Sequence, residues 1–182
     1  SPLMEKLQAS ETDIGVMYGA ENFAYFVALL ATAIPVTKYS RTKMAILGAV
    51  IAVFGSIASA FADNLSTLML FRCVVSVGGG IVSGAATASG AGSKAPVRTF
   101  ALAGMVYLFI FSVGRKLVPL GLDSFGVSGV FLGVAVFCAM TIPIYVFLNP
   151  PTQVTSSTAS FWKLVLNAPY RLYAILAMSG LF

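Results

Sequence analysis

Residues 38–63 read KYSRTKMAILGAVIAVFGSIASAFAD: a basic loop with Lys38, Arg41 and Lys43, an apolar run, and then Asp63. As a helix rising ~1.5 Å per residue, the run at 42–62 spans the ~30 Å hydrocarbon core of a bilayer. Moving outward in both directions, residues 14–37, 66–91, 99–122 and 125–148 repeat that form. The loop holding Lys94 and Arg98 is basic again, the one around Asp123 is acidic, and the last carries Lys163 and Arg171. Seven of the eleven Lys/Arg thus fall on one side, which the retention of cations in cytoplasmic loops makes the inside. Five of the six acids fall on the other side, a bias that counts for little in orientation.

Composition agrees with five spans. The chain of 182 residues is 58% hydrophobic and 9% charged, with a mean hydropathy of +0.93. Soluble domains carry about 25% charged residues. The fold class expected is therefore an all-α membrane protein, a polytopic helical bundle. Its net charge of +5 is spread over short loops that flank apolar spans, so membrane topology accounts for it and no nucleic-acid partner is implied. Cys73 and Cys138 lie within spans without CxxC spacing and read as small core residues. The chain has no histidine, which removes His-based triads, HExxH zinc sites and histidine relays. No metal site and no cofactor are expected.

Both ends carry information. The opening segment is polar, without a signal peptide, and Ser10 or Thr12 is placed to cap the first span. Asn149-Pro150-Pro151 ends the fifth span, and a Ser/Thr-rich linker follows. Phe161-Trp162-Lys163-Leu164-Val165-Leu166 then reads as an amphipathic interfacial helix anchored by Trp162. A sixth apolar run starts near Tyr170 and stops about thirteen residues later at Phe182, too short to cross a bilayer. We therefore expect a fragment that lacks material at both ends.

Small residues mark the third span: Ser76, Gly80, Gly84 and Ala88 recur every four residues, a spacing that lets helix backbones approach closely in lipid. Ionisable residues inside spans are costly there and usually face the bundle interior. Glu21 lies eight residues after Asp13, Arg72 eight after Asn64, and Arg115 eight before Asp123. At ~1.5 Å per residue all three sit ~12 Å below the outer boundary, an acid and two bases at one level. Tyr18, Glu21 and Tyr25 share a helix face with Asn22 beside them, and Tyr107, Phe111 and Arg115 share another. Lys116 points ~100° away from Arg115 and is expected to snorkel outward. Cations that outnumber the one acid favour an anionic ligand.

These features resemble the major facilitator superfamily of secondary transporters. The resemblance covers nearly the whole chain, with the five spans as helices two to six and the first helix missing. The family's inner loop reads G-x-x-x-D-R-x-G-R-R-K. Here the aligned stretch runs from Ala33 to Lys43 and keeps Lys38, Arg41 and Lys43 as the gating cations, with Thr37 for the Asp and Ala33 and Ser40 for the glycines. Arg72 with Ser76, Gly78, Gly79 and Gly80 is similar to the family's R-x-x-x-G-x-G-A-A of helix four. Where drug exporters carry G-P-x-x-G-G, this chain has Gly114 to Gly121 without that pattern, which disfavours drug export.

The resemblance implies an N-terminal bundle at 1–148, a cytoplasmic linker with an amphipathic helix at 149–169, and the truncated start of helix seven at 170–182. It implies a secondary active transporter of a small organic solute, weakly favouring an organic anion and coupled to protons. Such a protein works by alternating access against a missing C-terminal bundle, in a bacterial inner membrane with the basic loops cytoplasmic. Glu21, Arg72, Arg115, Tyr18, Asn22, Tyr25 and Tyr107 are the candidate substrate or proton-coupling residues. An exporter of drugs or metabolites with the same fold and a non-transporting scaffold are the alternatives. An intramembrane enzyme is not expected, because no nucleophile–base pair is visible.

Overall fold

The computed structural model describes residues 10–148. The linker at 149–169, with its expected amphipathic helix, and the run from Tyr170 lie outside the described residues. So does the outer stretch 1–9. Helix α1 covers Glu11–Thr32, α2 is the short turn Pro35–Lys38, α3 covers Arg41–Ala60, α4 Leu65–Ala91 and α5 Pro96–Thr141. A 3-10 turn, Ile142–Phe147, follows. There is no strand among the described residues. Helices dominate because hydrocarbon offers no partner to a backbone N–H or C=O, and a helix satisfies both internally.

The starts of the long helices are written in the sequence. Ser10 forms a capping box with Asp13: its hydroxyl accepts from the Asp13 N–H at 3.1 Å, and the Asp13 carboxylate accepts from the Ser10 N–H at 2.9 Å. Asn64 caps α4 by accepting from the Thr67 N–H at 2.8 Å. Pro96 opens α5 within its first turn, where a missing N–H leaves no bond unmade.

Two boundaries differ from the sequence expectation. The first span does not run unbroken to residue 37. It ends at Thr32, and the chain restarts at Pro35, whose ring cannot continue a helix from residues before it. The fourth and fifth spans do not separate around Asp123. They form a 46-residue helix broken at Gly126, where φ is +67° and ψ is −174°. Only glycine takes up such a conformation without a steric penalty. A straight helix of that length would measure ~69 Å, over twice the bilayer core. The break instead yields two arms, 96–125 and 127–141, that face each other across a groove of about 540 Å³. A methyl group on Gly121 would meet the Val130 side chain at 3.7 Å, so the arms are closest beside the break.

Contacts along the helices give their directions. Met17 clusters with Leu68, Glu21 bonds Arg72, Tyr25 lies beside Gly79 and Gly80, and Thr32 lies beside Gly84. Residue numbers rise together, so α1 and α4 run parallel. Gly55 meets Phe71 and Val75 while Gly48 meets Gly78 and Ile81, so α3 runs antiparallel to α4. The second arm of α5 and the 3-10 turn that continues it run parallel to α4, with Phe131 near Leu68 and Tyr145 near Ala85. This is the alternation that five successive crossings require.

The interior is built from small side chains: Ala45, Ala49, Ala52, Ser56 and Ala85 are buried. The bulky ones point outward, with Phe23 70% and Phe54 67% exposed, the inversion expected of a surface that meets lipid. Gly78 and Gly80 set the spacing. A methyl group on Gly80 would sit 2.6 Å from the Tyr25 carbonyl oxygen and 2.8 Å from Ala28 Cβ. One on Gly78 would strike the Gly48 carbonyl and lie 2.7 Å from the Ala52 nitrogen. These are backbone obstacles and do not yield. We expect Gly78→Ala and Gly80→Ala each to destabilise the bundle by about 1–3 kcal/mol. Gly104→Ala, with nothing within 4 Å of the added methyl, should leave stability unchanged or slightly improved. Thermal unfolding in detergent micelles compares the three.

Candidate functional site

The α1–α4 seam advances one turn at a time on both helices, and four residues beyond the Met17–Leu68 contact it brings Glu21 opposite Arg72. The guanidinium donates twice, Nε to Oε1 at 2.9 Å and Nη2 to Oε2 at 2.8 Å. This is the two-pronged geometry that a planar guanidinium makes with a carboxylate, and it is about twice as strong as a neutral hydrogen bond. The side chains are only 9% and 22% exposed for Glu21 and Arg72. Phe131, from the second arm of α5, lays its ring 5.8 Å from the Arg72 guanidinium carbon, a cation–π contact that also keeps solvent off the pair.

One turn further along the seam lies an open recess of about 190 Å³, lined by α1, α3, α4, the second arm of α5 and the 3-10 turn after it. Tyr25, Ser83, Cys138, Thr141 and Tyr145 supply its polar side chains, and Ala49, Ala52 and Gly79 its apolar ones. The Thr141 hydroxyl lies 2.7 Å from the Cys138 carbonyl, to which it donates, and 2.9 Å from the Tyr145 hydroxyl. The larger groove between the arms of α5 is lined only by apolar side chains, Phe109, Leu117 and Val130 among them. It offers no group for chemistry.

The structure brings together some of the sequence candidates and separates others. Glu21, Arg72 and Tyr25 occupy one seam, in which Glu21 is buried and the other two half-buried. Tyr18 is 55% exposed, and Asn22, also exposed, donates from Nδ2 to the Tyr18 carbonyl at 2.8 Å. Arg115 does not reach Glu21. It is exposed on the first arm of α5, its guanidinium carbon 5.9 Å from the Phe111 ring, which in turn stacks on Tyr107 at 6.1 Å. The shared face of Tyr107, Phe111 and Arg115 is therefore present, but away from the ion pair. Depth counting gives height along the membrane normal and not position around the bundle, and the break at Gly126 carries that arm off the α1–α4 seam. The surplus of cations over Glu21 is accordingly absent at the pair itself, where one acid meets one base. Lys116 is exposed.

On the inner loop, Lys38 and Lys43 are exposed whereas Arg41 is buried at 4% exposure, at the start of α3. In the row of small residues, Gly80 and Gly84 meet α1, and Ala88 packs on the Val36–Ala45–Ala85 cluster. Ser76 is half-buried. Sequence reasoning placed a span at 125–148 but assigned no site residue to it. Phe131, Cys138, Thr141 and Tyr145 recur at intervals of seven, three and four residues, a stripe down one helix face that the spacing alone would reveal. Among the described residues no cluster of His, Cys, Asp and Glu is arranged to hold a metal.

Apolar helices long enough to cross a bilayer, packed through glycine rows around a partly buried ion pair, are the build of an integral membrane protein. The family model described as Major Facilitator Superfamily matches residues 1–182, the whole chain, and the chain belongs to that superfamily. It is a membrane transporter of the small-solute kind, in a family whose members are transporters and not enzymes. No curated protein matches the chain.

Removing one partner of a buried pair leaves the other charge stranded. Glu21→Ala and Arg72→Ala are each expected to cost about 3–5 kcal/mol. The double variant should lose less than their sum, because no orphan charge remains. Equilibrium unfolding in mixed micelles, run as a double-mutant cycle, measures the coupling.

Proposed function

We propose that the protein is a proton-coupled secondary transporter of a small organic solute, with a weak preference for an organic anion, and that Glu21 and Arg72 form its coupling pair. The observation that carries this reading is the two-pronged bond between them inside the bundle. A substrate carboxylate and the Glu21 carboxylate have the same geometry and compete for the same two guanidinium donors. Glu21 is the one acid within the spans. When it takes up a proton its hold on Arg72 weakens, and an anion bonds Arg72 in its place. Proton and anion therefore enter together and leave together. Arg72 stays charged throughout, since a guanidinium does not deprotonate in proteins.

Tyr25, in the same seam, and Tyr18, Asn22, Tyr107 and Arg115, on the faces of α1 and α5, are assigned to solute contact. The division into a bundle at 1–148, a cytoplasmic linker at 149–169 and the start of a further helix at 170–182 supplies the moving parts. The bundle rocks against a second one that follows it, around a site near the midplane. Lys38, Arg41 and Lys43 gate the inner face. Their loop faces the cytoplasm of a bacterial inner membrane, since cations are retained on that side.

Arg72→Ala should abolish uptake of every solute that the unmodified protein accumulates when a panel of carboxylated compounds is tested in proteoliposomes. Near-normal uptake removes Arg72 from the mechanism. Glu21→Gln should retain exchange of that solute across the membrane while losing the response to a pH gradient. An unchanged pH response retires Glu21 as proton carrier. For orientation, a cysteine at Lys43 in a Cys73→Ser, Cys138→Ser background should react with an impermeant thiol reagent only from the cytoplasmic side, and one at Asp63 only from the other.

A further inference from the structure

We propose that Phe131 is the positioning residue of the Glu21–Arg72 pair: its ring keeps the Arg72 guanidinium aligned for an anion while Glu21 carries the proton. This deepens the reading above and rests on Glu21 and Arg72 as the coupling pair. The starting point is how Arg72 is held. Its Nε and Nη2 both donate to Glu21, and among the described residues Nη1 makes no hydrogen bond. When Glu21 takes up a proton, its grip on both donors weakens. No other hydrogen bond from the described residues then orients the guanidinium. An arginine side chain freed in this way has many rotamers open to it and turns aside.

What still lies on the guanidinium is the Phe131 ring, 5.8 Å from its central carbon. The face of a phenyl ring is negative and a guanidinium is flat and positive, so the two attract without using an N–H. The ring therefore competes with neither carboxylate. It restrains the cation from its face and leaves the donors on its edges open to an incoming anion. A leucine in this place would fill space but would lack the negative face.

The fold delivers the ring by three features. Gly126 breaks α5 five residues before Phe131, which aims the second arm along α4. Ala135, one turn beyond Phe131 on the same face, is 4% exposed, so a small side chain lets the arm seat closely. Phe131 also packs on the cluster of Met17, Ala62 and Leu68. Met17 and Leu68 stand one turn before Glu21 and Arg72, so the half-buried ring is wedged beside both members of the pair. The contact of Arg115 with Phe111 differs, since it joins two exposed residues of one helix and positions nothing on another.

The test places phenylalanines with one, two and three ring fluorines, and cyclohexylalanine, at position 131 of the full chain. Fluorine drains the negative face with little change in size, and cyclohexylalanine keeps the bulk without the face. The variants are assayed in proteoliposomes with a carboxylated solute that the unmodified protein accumulates. KM should rise with each fluorine and reach about three- to thirtyfold with cyclohexylalanine, while Vmax stays within about twofold. Phe131→Tyr, which keeps the face, should stay near the original KM. The rise should persist for solute exchange by Glu21→Gln, because the ring acts on Arg72. A KM indifferent to fluorination, or a loss confined to Vmax, overturns the proposal. Unfolding in mixed micelles separates this from failure of the transport reading. Fluorination should destabilise the chain that keeps Arg72 and leave the Glu21→Gln, Arg72→Met double variant unchanged. Equal sensitivity in both, or none in either, overturns the ring's hold on Arg72 whatever the chain transports. Normal uptake by Arg72→Ala retires the coupling pair, and with it the ring's part in transport, even where that stability difference persists.

Discussion

The distance between helix backbones governs this structure. In lipid the helices gain nothing from hiding apolar surface, since the solvent is as apolar as they are, and what holds them is close van der Waals contact. Gly48 against Gly78 and Gly80 against Tyr25 and Ala28 bring α4 to within a methyl group of both neighbours. The Glu21–Arg72 bond depends on that approach. Both donor–acceptor distances lie below 3 Å, and a helix pushed outward by one added methyl would lengthen them together. The glycines thus serve the charge pair without touching it.

The pair is a compromise of its own. Taking two charges out of water costs several kcal/mol per ion, and their attraction offsets this only when geometry is good and the remaining polar atoms are satisfied. Here the carboxylate spends both oxygens on Arg72, and Phe131 covers the guanidinium. A hydrophobic pair in the same place would hold the helices as well or better. What an ion pair adds is the ability to be opened by a proton or by a competing anion, which an apolar contact lacks.

Much of this was legible in the residues. The apolar helices followed from hydropathy, and a shared depth for Glu21 and Arg72 from counting residues inward from Asp13 and Asn64. Arg115 lies apart from the pair because a count along the chain fixes depth and leaves the position around the bundle open. Asp123 looked like the turn between the last two spans, yet the helix breaks at Gly126. Gly121, Gly129 and Gly133 stand close by, and nothing in their order says which takes the positive φ. Phe131, Thr141 and Tyr145 went unnoticed, and Cys138 was read as a small core residue, for another reason. Each is ordinary in an apolar span, and only the tertiary contact of that arm with α3 and α4 gives them a common purpose.

Phe131 and the α1–α4 seam have one more consequence, for the ionic atmosphere. Dissolved salt weakens attraction between exposed charges over a Debye length of ~8 Å at physiological strength, but only where ions can gather. Glu21 and Arg72 are 9% and 22% exposed, which leaves little room for ions to gather around them. Lys38, Lys43 and Lys94 stand in the open and feel the bathing medium in full. Charges on the rim therefore answer to the electrolyte outside, while the Glu21–Arg72 attraction is screened far less.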